Sequence, residues 1–250
     1  MAQLFGHEKL IVYKKSMEFA VSRSELLGGL SRRVAACDHL DRGAESIIVN
    51  IAHASSSWSP KERIVYFGHA NGSALECAAC LDVFVAKKLL DNQDVFPGKC
   101  LLAEIVSILI AMRKTTANRV CEDQAMYRTK KGRLFSHEDL DVYQTALQLT
   151  GWVEGLLTAF SCSADLLSKL DTSTTAIVLN LAEGNGRFSR ADQAKFLAIA
   201  YKATVQSASL VDLATAKGSA EPSQVEDGRE MLRCIAAMLT SLSKVASHDT

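Results

Sequence analysis

The chain has 250 residues, of which 48% are hydrophobic, with 14 glycines and three prolines. That is room for one large domain or two small ones, and the scarcity of Gly and Pro argues against an all-β protein. The 28 basic and 28 acidic residues cancel, so no global field steers the protein toward nucleic acid or an anionic membrane.

Taken in chain order, the pattern predicts helices throughout. A first helix is read from the stripe Tyr13, Met17, Ala20, Ser24 and Leu27, and a second from Ile47, Ile51 and Ala54. Asn50 shares the apolar side of the second helix, where a buried amide needs partners. "SPKE" at 59–62 offers an N-cap Ser, a first-turn Pro and a Glu at N3 for a third helix. Ile64, Phe67, Asn71, Ala74, Ala78, Leu81 and Val85 form the stripe of that helix. "FPGK" opens a fourth, carrying Leu101, Leu102, Ile105, Ile108, Leu109 and Met112. Its longest apolar run is interrupted by Glu104, short of transmembrane length.

A basic linker follows, "RTKKGRLF", with Lys130, Lys131 and Arg133 around Gly132. Beyond it the pattern starts again. "LFGHEKLIVY" at 4–13 returns as "LFSHEDLDVY" at 134–143, and the offset of 130 holds without a gap to Lys114 and Lys244. Between those ends it pairs Asp41 with Asp171, Asn50 with Asn180, Asp82 with Asp212 and Lys87 with Lys217. One register kept over that length is a tandem duplication. "SHED" and "SRAD" have the Ser-x-x-acid form of helix starts, and "AEPS" opens the last helix, whose Leu232, Ile235, Leu239 and Leu242 follow a bundle seam. Short connections imply antiparallel neighbours. The expected fold is all-α: two tandem antiparallel up-down four-helix bundles, residues 1–127 and 137–250, joined by a linker at 128–136.

In the second unit, "NLAEGNGRFS" and "KFLAIA" form a corner between two helices. With the opening "LFSHEDLDVYQTALQL", this resembles the bacterial four-helix-bundle proteins encoded in intervening sequences of large-subunit ribosomal RNA genes. The accessory proteins of diversity-generating retroelements are similar. The resemblance implies a small up-down bundle that assembles into rings, often pentamers. For the retroelement relatives it implies binding of a reverse transcriptase and of nucleic acid through basic surfaces. In the first unit the corner reads "NIAHASSSWS", so the motif stands in one copy. The basic excess is absent too: residues 1–127 hold 15 Lys and Arg against 14 Asp and Glu, and residues 128–250 hold 13 against 14.

The glycine-containing corner is not a phosphate loop, because no Gly-Lys-Ser/Thr follows and no strand precedes it. Gly184 and Gly186 would end a helix in left-handed conformations, Ser189 would cap the next, and Asn180 would sit in the core as Asn50 does. Glu183 and Arg187, four apart, are placed to pair. Arg187, Arg190, Glu183, Lys130, Lys131 and Arg133 are the candidate contacts for a partner or an anion. "CAAC" at 77–80 has redox spacing but lies inside a helix, so Cys77 and Cys80 read as small core residues. Seven cysteines, an odd number, and the lack of an apolar leader in "MAQLFGHEKL" suggest a reduced, soluble, cytoplasmic protein. No nucleophile, base and orienter can be assembled, so no catalytic, cofactor or metal residue is assigned. The expected function is non-catalytic: binding and assembly through helix faces, to copies of itself or to another protein. The alternative is a nucleic-acid-binding accessory of RNA or single-stranded DNA, working with a reverse transcriptase.

Overall fold

Residues 6–28, 34–118, 134–159 and 164–248 are described by the structure, a computed structural model. The basic linker, with Lys130, Lys131 and Arg133, lies outside the described residues. The first unit comprises α1 (Ile11–Leu27), α2 (Ala35–Ser56), α3 (Pro60–Ala86) and α4 (Asn92–Asn118). The second repeats it as α5 (Asp141–Ala159), α6 (Ala164–Asn185), α7 (Arg190–Ala216) and α8 (Pro222–His248). A turn of 3-10 helix precedes each unit, Gly6–Lys9 and Ser136–Asp139. In each unit consecutive helices pack as neighbours and the first closes onto the fourth.

Local chemistry sets the helix ends. The Ser59 and Ser189 hydroxyls accept from the backbone N–H groups of Glu62 and Asp192, both at 3.4 Å, and so start α3 and α7. Both helices end in a Schellman motif: Leu89 N–H bonds Phe84 O at 2.9 Å, and Ser219 N–H bonds Ala214 O at 3.0 Å. The residue held in the left-handed region is Gly218 (φ 67°) in the second unit and Lys88 (φ 58°) in the first. Two expectations about helix starts need correction. Ser136 does not cap the "SHED" turn; the Glu138 carboxylate does, accepting from Leu134 N at 2.8 Å and Phe135 N at 3.1 Å. α4 begins at Asn92 rather than at "FPGK", because Asp94 accepts from the N–H of Asp91 at 2.8 Å, and Pro97 lies inside the helix. By contrast "AEPS" does open α8.

The cores follow the predicted stripes in α2, α4 and α8: Ile47, Ile51, Leu102, Ile105, Leu109, Ile235 and Leu239 are all buried. α1 does not. It turns Val12, Ser16 and Phe19 inward, leaving Met17 exposed and Tyr13 half-buried. Ser16 tolerates the core because its hydroxyl bonds Val12 O at 2.8 Å. So α1 carries two apolar rows, and the sequence reading took the outer one. Asn50 and Asn180 are half-buried, not core amides. Each donates to the carbonyl four residues back on its own helix, Ser46 at 2.8 Å and Ala176 at 2.7 Å. α4 also departs from expectation, since Asn92–Ala117 is by length and composition apolar enough to cross a membrane. Its buried row is the one that faces α1 and α3.

Candidate functional site at the junction of the two bundles

α3 is a bundle helix with a second task. Its positions 71, 75, 79, 83 and 87 form one row spaced by four, and Asn71, Leu75, Ala79, Val83 and Lys87 are all buried. They lie against the second unit. Asn71 donates to Gly186 O at 3.1 Å. Lys87, its side chain 1% exposed, pairs with Asp171 at 2.5 Å and Glu154 at 3.2 Å. The facing row is Asp171, Thr175, Leu179 and Glu183 of α6, continued by Arg187 just beyond its end. Lys87 meets one end of it and Gly72 the other, close to Glu183 and Arg187, so the two rows run antiparallel, ridge against ridge.

Small residues permit the approach. A Cβ on Gly151 of α5 would stand 2.6 Å from the Ala86 carbonyl, and one on Gly186 would stand 2.0 Å from Leu75 Cδ1. This corrects the expectation of left-handed glycines. Among the described residues Gly218 is the one glycine with positive φ, so Gly184 and Gly186 serve through space. At Gly184 a Cβ would lie 2.9 Å from that of Phe196.

A polar network crosses the junction beside α4. Lys99 Nζ donates to Asp82 Oδ1 at 2.6 Å and also to Glu138 Oε1 of the second unit. The Tyr143 hydroxyl donates to Asp82 Oδ2 at 2.8 Å. Burial raises the Asp82 carboxyl above its usual range despite Lys99. Burial works against the Lys99 ammonium, but Asp82 and Glu138 outweigh it and its pKa is raised. Burial and Asp82 push the Tyr143 phenol well up. His137, stacked on Phe135 at 5.5 Å and edge-on to Tyr143 at 4.7 Å, is lowered to about 3 by burial, with Lys99 adding to the effect. These are charges spent on joining two units, each neutralised within the protein.

The candidate contacts take distinct places. Glu183 and Arg187 do pair, and the Arg187 guanidinium lies 4.6 Å over the Phe196 ring, against Gly72. That puts Arg187 in the seam between units. Arg190 is exposed on the first turn of α7, and Ser189 caps that helix as expected. Phe188 is held under Arg113 of α4 at 3.5 Å, while its repeat mate Trp58 is 99% exposed. Cys77 and Cys80 are fully buried in α3, and desolvation raises both thiols well above their usual value.

Sequence reasoning did not single out Asp82, Lys99, Tyr143, Glu138, Lys87 or Asp171 as one site. The signal was present. Asp82, Lys87, Tyr143, Glu138 and Asp171 are identical to their mates 130 residues away, although Asn50/Asn180 and Ser59/Ser189 share that identity and serve their own helices.

No curated protein and no solved structure matches the chain. A family model does so twice: residues 8–111 and 138–241 each match the model described as 23S rRNA-intervening sequence protein. The two matches start 130 residues apart, the offset of the internal repeat. The chain therefore belongs to the 23S rRNA-intervening sequence protein family, as two tandem copies of its helical unit.

Proposed function

We propose that the protein is a non-catalytic assembly module, soluble and cytoplasmic, that acts by binding through its helix faces. The observation that carries this reading is the placement of exposed large apolar side chains. Ile11, Met17, Val21, Val49 and Trp58 lie on the outer side of the first unit, and Ile199, Tyr201, Val205 and Leu213 on that of the second. Apolar residues gathered on faces that no described helix covers mark interaction surfaces. The buried charges support the same reading, since Lys87 and Lys99 are consumed in holding two bundles together.

Mass in solution by light scattering, alone and with the product of the neighbouring gene, tests it. A species heavier than one 27.1 kDa chain is expected. A strict monomer that takes up no partner ends the reading. A salt-dependent gel shift with RNA or single-stranded DNA would favour the nucleic-acid alternative, for which exposed Arg190 and the basic linker are the local support.

A further inference from the structure

The two units differ where their first helix meets their fourth. In the second unit Trp152 of α5 lies on Gly228 of α8: a Cβ on that glycine would stand 2.3 Å from the indole Cη2 and 2.4 Å from Cζ3. The ring is half-buried and packs on the core. In the first unit the mates are Ser22 of α1 and Gly98 of α4. The glycine is kept and the ring is gone. A Cβ on Gly98 would meet Leu81 Cδ1 at 3.3 Å and Phe19 Cε2 at 3.7 Å, and no atom of Ser22 within 4 Å. The Ser22 hydroxyl turns back to its own helix and donates to Phe19 O at 3.1 Å.

Gly98 and Ser22 border a cavity of about 430 Å3 between α1 and the first half of α4. Leu26, Leu40, Leu81 and Val95 stand in its wall. Their mates in the second unit, Leu156, Leu170, Val211 and Val225, line a space of about 20 Å3. The first unit thus holds open a volume that the second has closed. An apolar hollow of roughly 300–1,000 Å3 with a few polar groups at its edge is the form of a small-molecule site.

The edge is acidic. Two cations reach it, and both are neutralised within the protein: Lys15 pairs with Glu104, and Arg23 pairs with Asp41 at 2.9 Å. Asp94 accepts the N–H of Asp91 with one carboxylate oxygen, at 2.8 Å. Its other oxygen and the exposed Glu18 carboxylate form no hydrogen bond or ion pair among the described residues.

We propose that this cavity binds a small aromatic amine. Its flat bicyclic ring takes the place that the Trp152 indole holds in the other unit, over Gly98 and beside Phe19. Its protonated arm lies at the mouth, toward Glu18 and Asp94. An anionic arm would meet those two carboxylates with no free cation to offset them. The site goes beyond the assembly reading and does not depend on it, since it lies within one unit of one chain.

Tryptamine, indole and indole-3-acetate test it: the same ring with a cationic arm, no arm and an anionic arm. In isothermal titration calorimetry on the full chain, tryptamine is expected to bind about ten-fold more tightly than indole. Indole-3-acetate should bind more weakly than either, and added salt should narrow the differences. Ser22→Trp puts the second unit's residue into the slot. It should abolish binding of tryptamine and indole while keeping the helical circular dichroism and raising the melting temperature. Glu18→Gln combined with Asp94→Asn changes two exposed residues and keeps an acceptor for the Asp91 N–H. That variant should bind indole as the wild type does and lose the advantage of tryptamine, which keeps the proposal testable should Ser22→Trp fail to fold. No heat from any probe at millimolar concentration overturns the site. Preference for indole-3-acetate overturns the amine, and binding undiminished by Ser22→Trp overturns the slot. N-acetyltryptophanamide, the ring as it stands in a peptide, binding more tightly than tryptamine would make the guest a protein side chain and overturn the small-molecule assignment.

Discussion

Gly151 and Gly155 lie one turn apart on α5, and replacing each with Ala measures whether the two bundles dock as closely as described. Ala in place of Gly within a helix stabilises by about 1 kcal/mol through the backbone entropy of the unfolded chain. Gly155 is exposed and a Cβ there meets nothing within 4 Å, so Gly155→Ala should gain that amount. At Gly151 the same methyl would lie 2.6 Å from the Ala86 carbonyl oxygen, about 0.8 Å short of ordinary contact at 3.4 Å. That oxygen is backbone, in the last turn of α3, and the turn is pinned by Lys87 between Asp171 and Glu154. Relief requires sliding α5 off α3 and lengthening those pairs. Overpacking of this kind costs roughly 1–3 kcal/mol, which cancels the propensity gain and leaves a net loss of about 1 kcal/mol. Urea unfolding followed by circular dichroism, wild type against both variants, reads the difference. The two substitutions should shift the midpoint in opposite directions. Equal stabilisation would refute the close approach of α5 to α3.

Three further outcomes follow from particular residues. Lys88 occupies a left-handed position that its mate Gly218 fills without a Cβ, and its side chain is exposed. Lys88→Gly should therefore raise stability by roughly 0.5–1 kcal/mol, the left-handed penalty less the added chain entropy, seen as a higher melting temperature. His137 is lowered to about 3 against an ordinary 6.5, so the unfolded chain binds the extra proton. Its contribution is complete above pH 6.5 and is lost as pH falls from there toward 3, with a slope of up to about 1.4 kcal/mol per pH unit. The raised Asp82 and Glu183 carboxyls act in the opposite sense in the acid part of that range. Urea midpoints at pH 7, 6 and 5 should show the fall, and His137→Phe should flatten it. Among the cysteines, Cys234 is exposed while Cys77 and Cys80 are buried with raised thiol pKa values. A thiol reagent should modify Cys234 in the native protein and reach the other two only on unfolding, as peptide mapping would show.

The helices, the duplication and the two-bundle plan were legible because they rest on local rules: apolar spacing, caps and a repeat that keeps register. What escaped was set by the second face of each helix. Tyr13 and Met17 read as core because an outer apolar row has the same spacing as one bound for the bundle interior. Periodicity reports that a face is apolar, not which neighbour covers it. The glycines of "AEGNGR" escaped for a related reason. A helix corner rich in glycine ordinarily signals positive φ, yet Gly184 and Gly186 answer to Phe196 and Leu75, residues distant in sequence. Asn50 and Asn180 were read as core amides, but both are half-buried and their amides bond the carbonyl four residues back on their own helix.

Joining two units in one chain changes what each face must do. Between separate subunits the Lys87–Asp171 and Asp82–Tyr143 contacts would have to overcome the entropy of association. Within one chain the linker supplies an effective concentration in its place. The internal junction can then afford buried charge and glycine-tight packing, both intolerant of misalignment, because its partner is always present. Faces at the ends of the chain have no such guarantee. They carry bulkier residues, a paired surface Asp212–Arg229 in place of the buried Asp82–Lys99, and His53 and Ser57 in place of Glu183 and Arg187. A surface that must remain soluble when alone cannot hold unpaired charge in an apolar setting. The two copies of the corner show that asymmetry: Glu183 and Arg187 of "AEGNGR" pair in the seam between the units, and their mates in "AHASSS", His53 and Ser57, stand outside it.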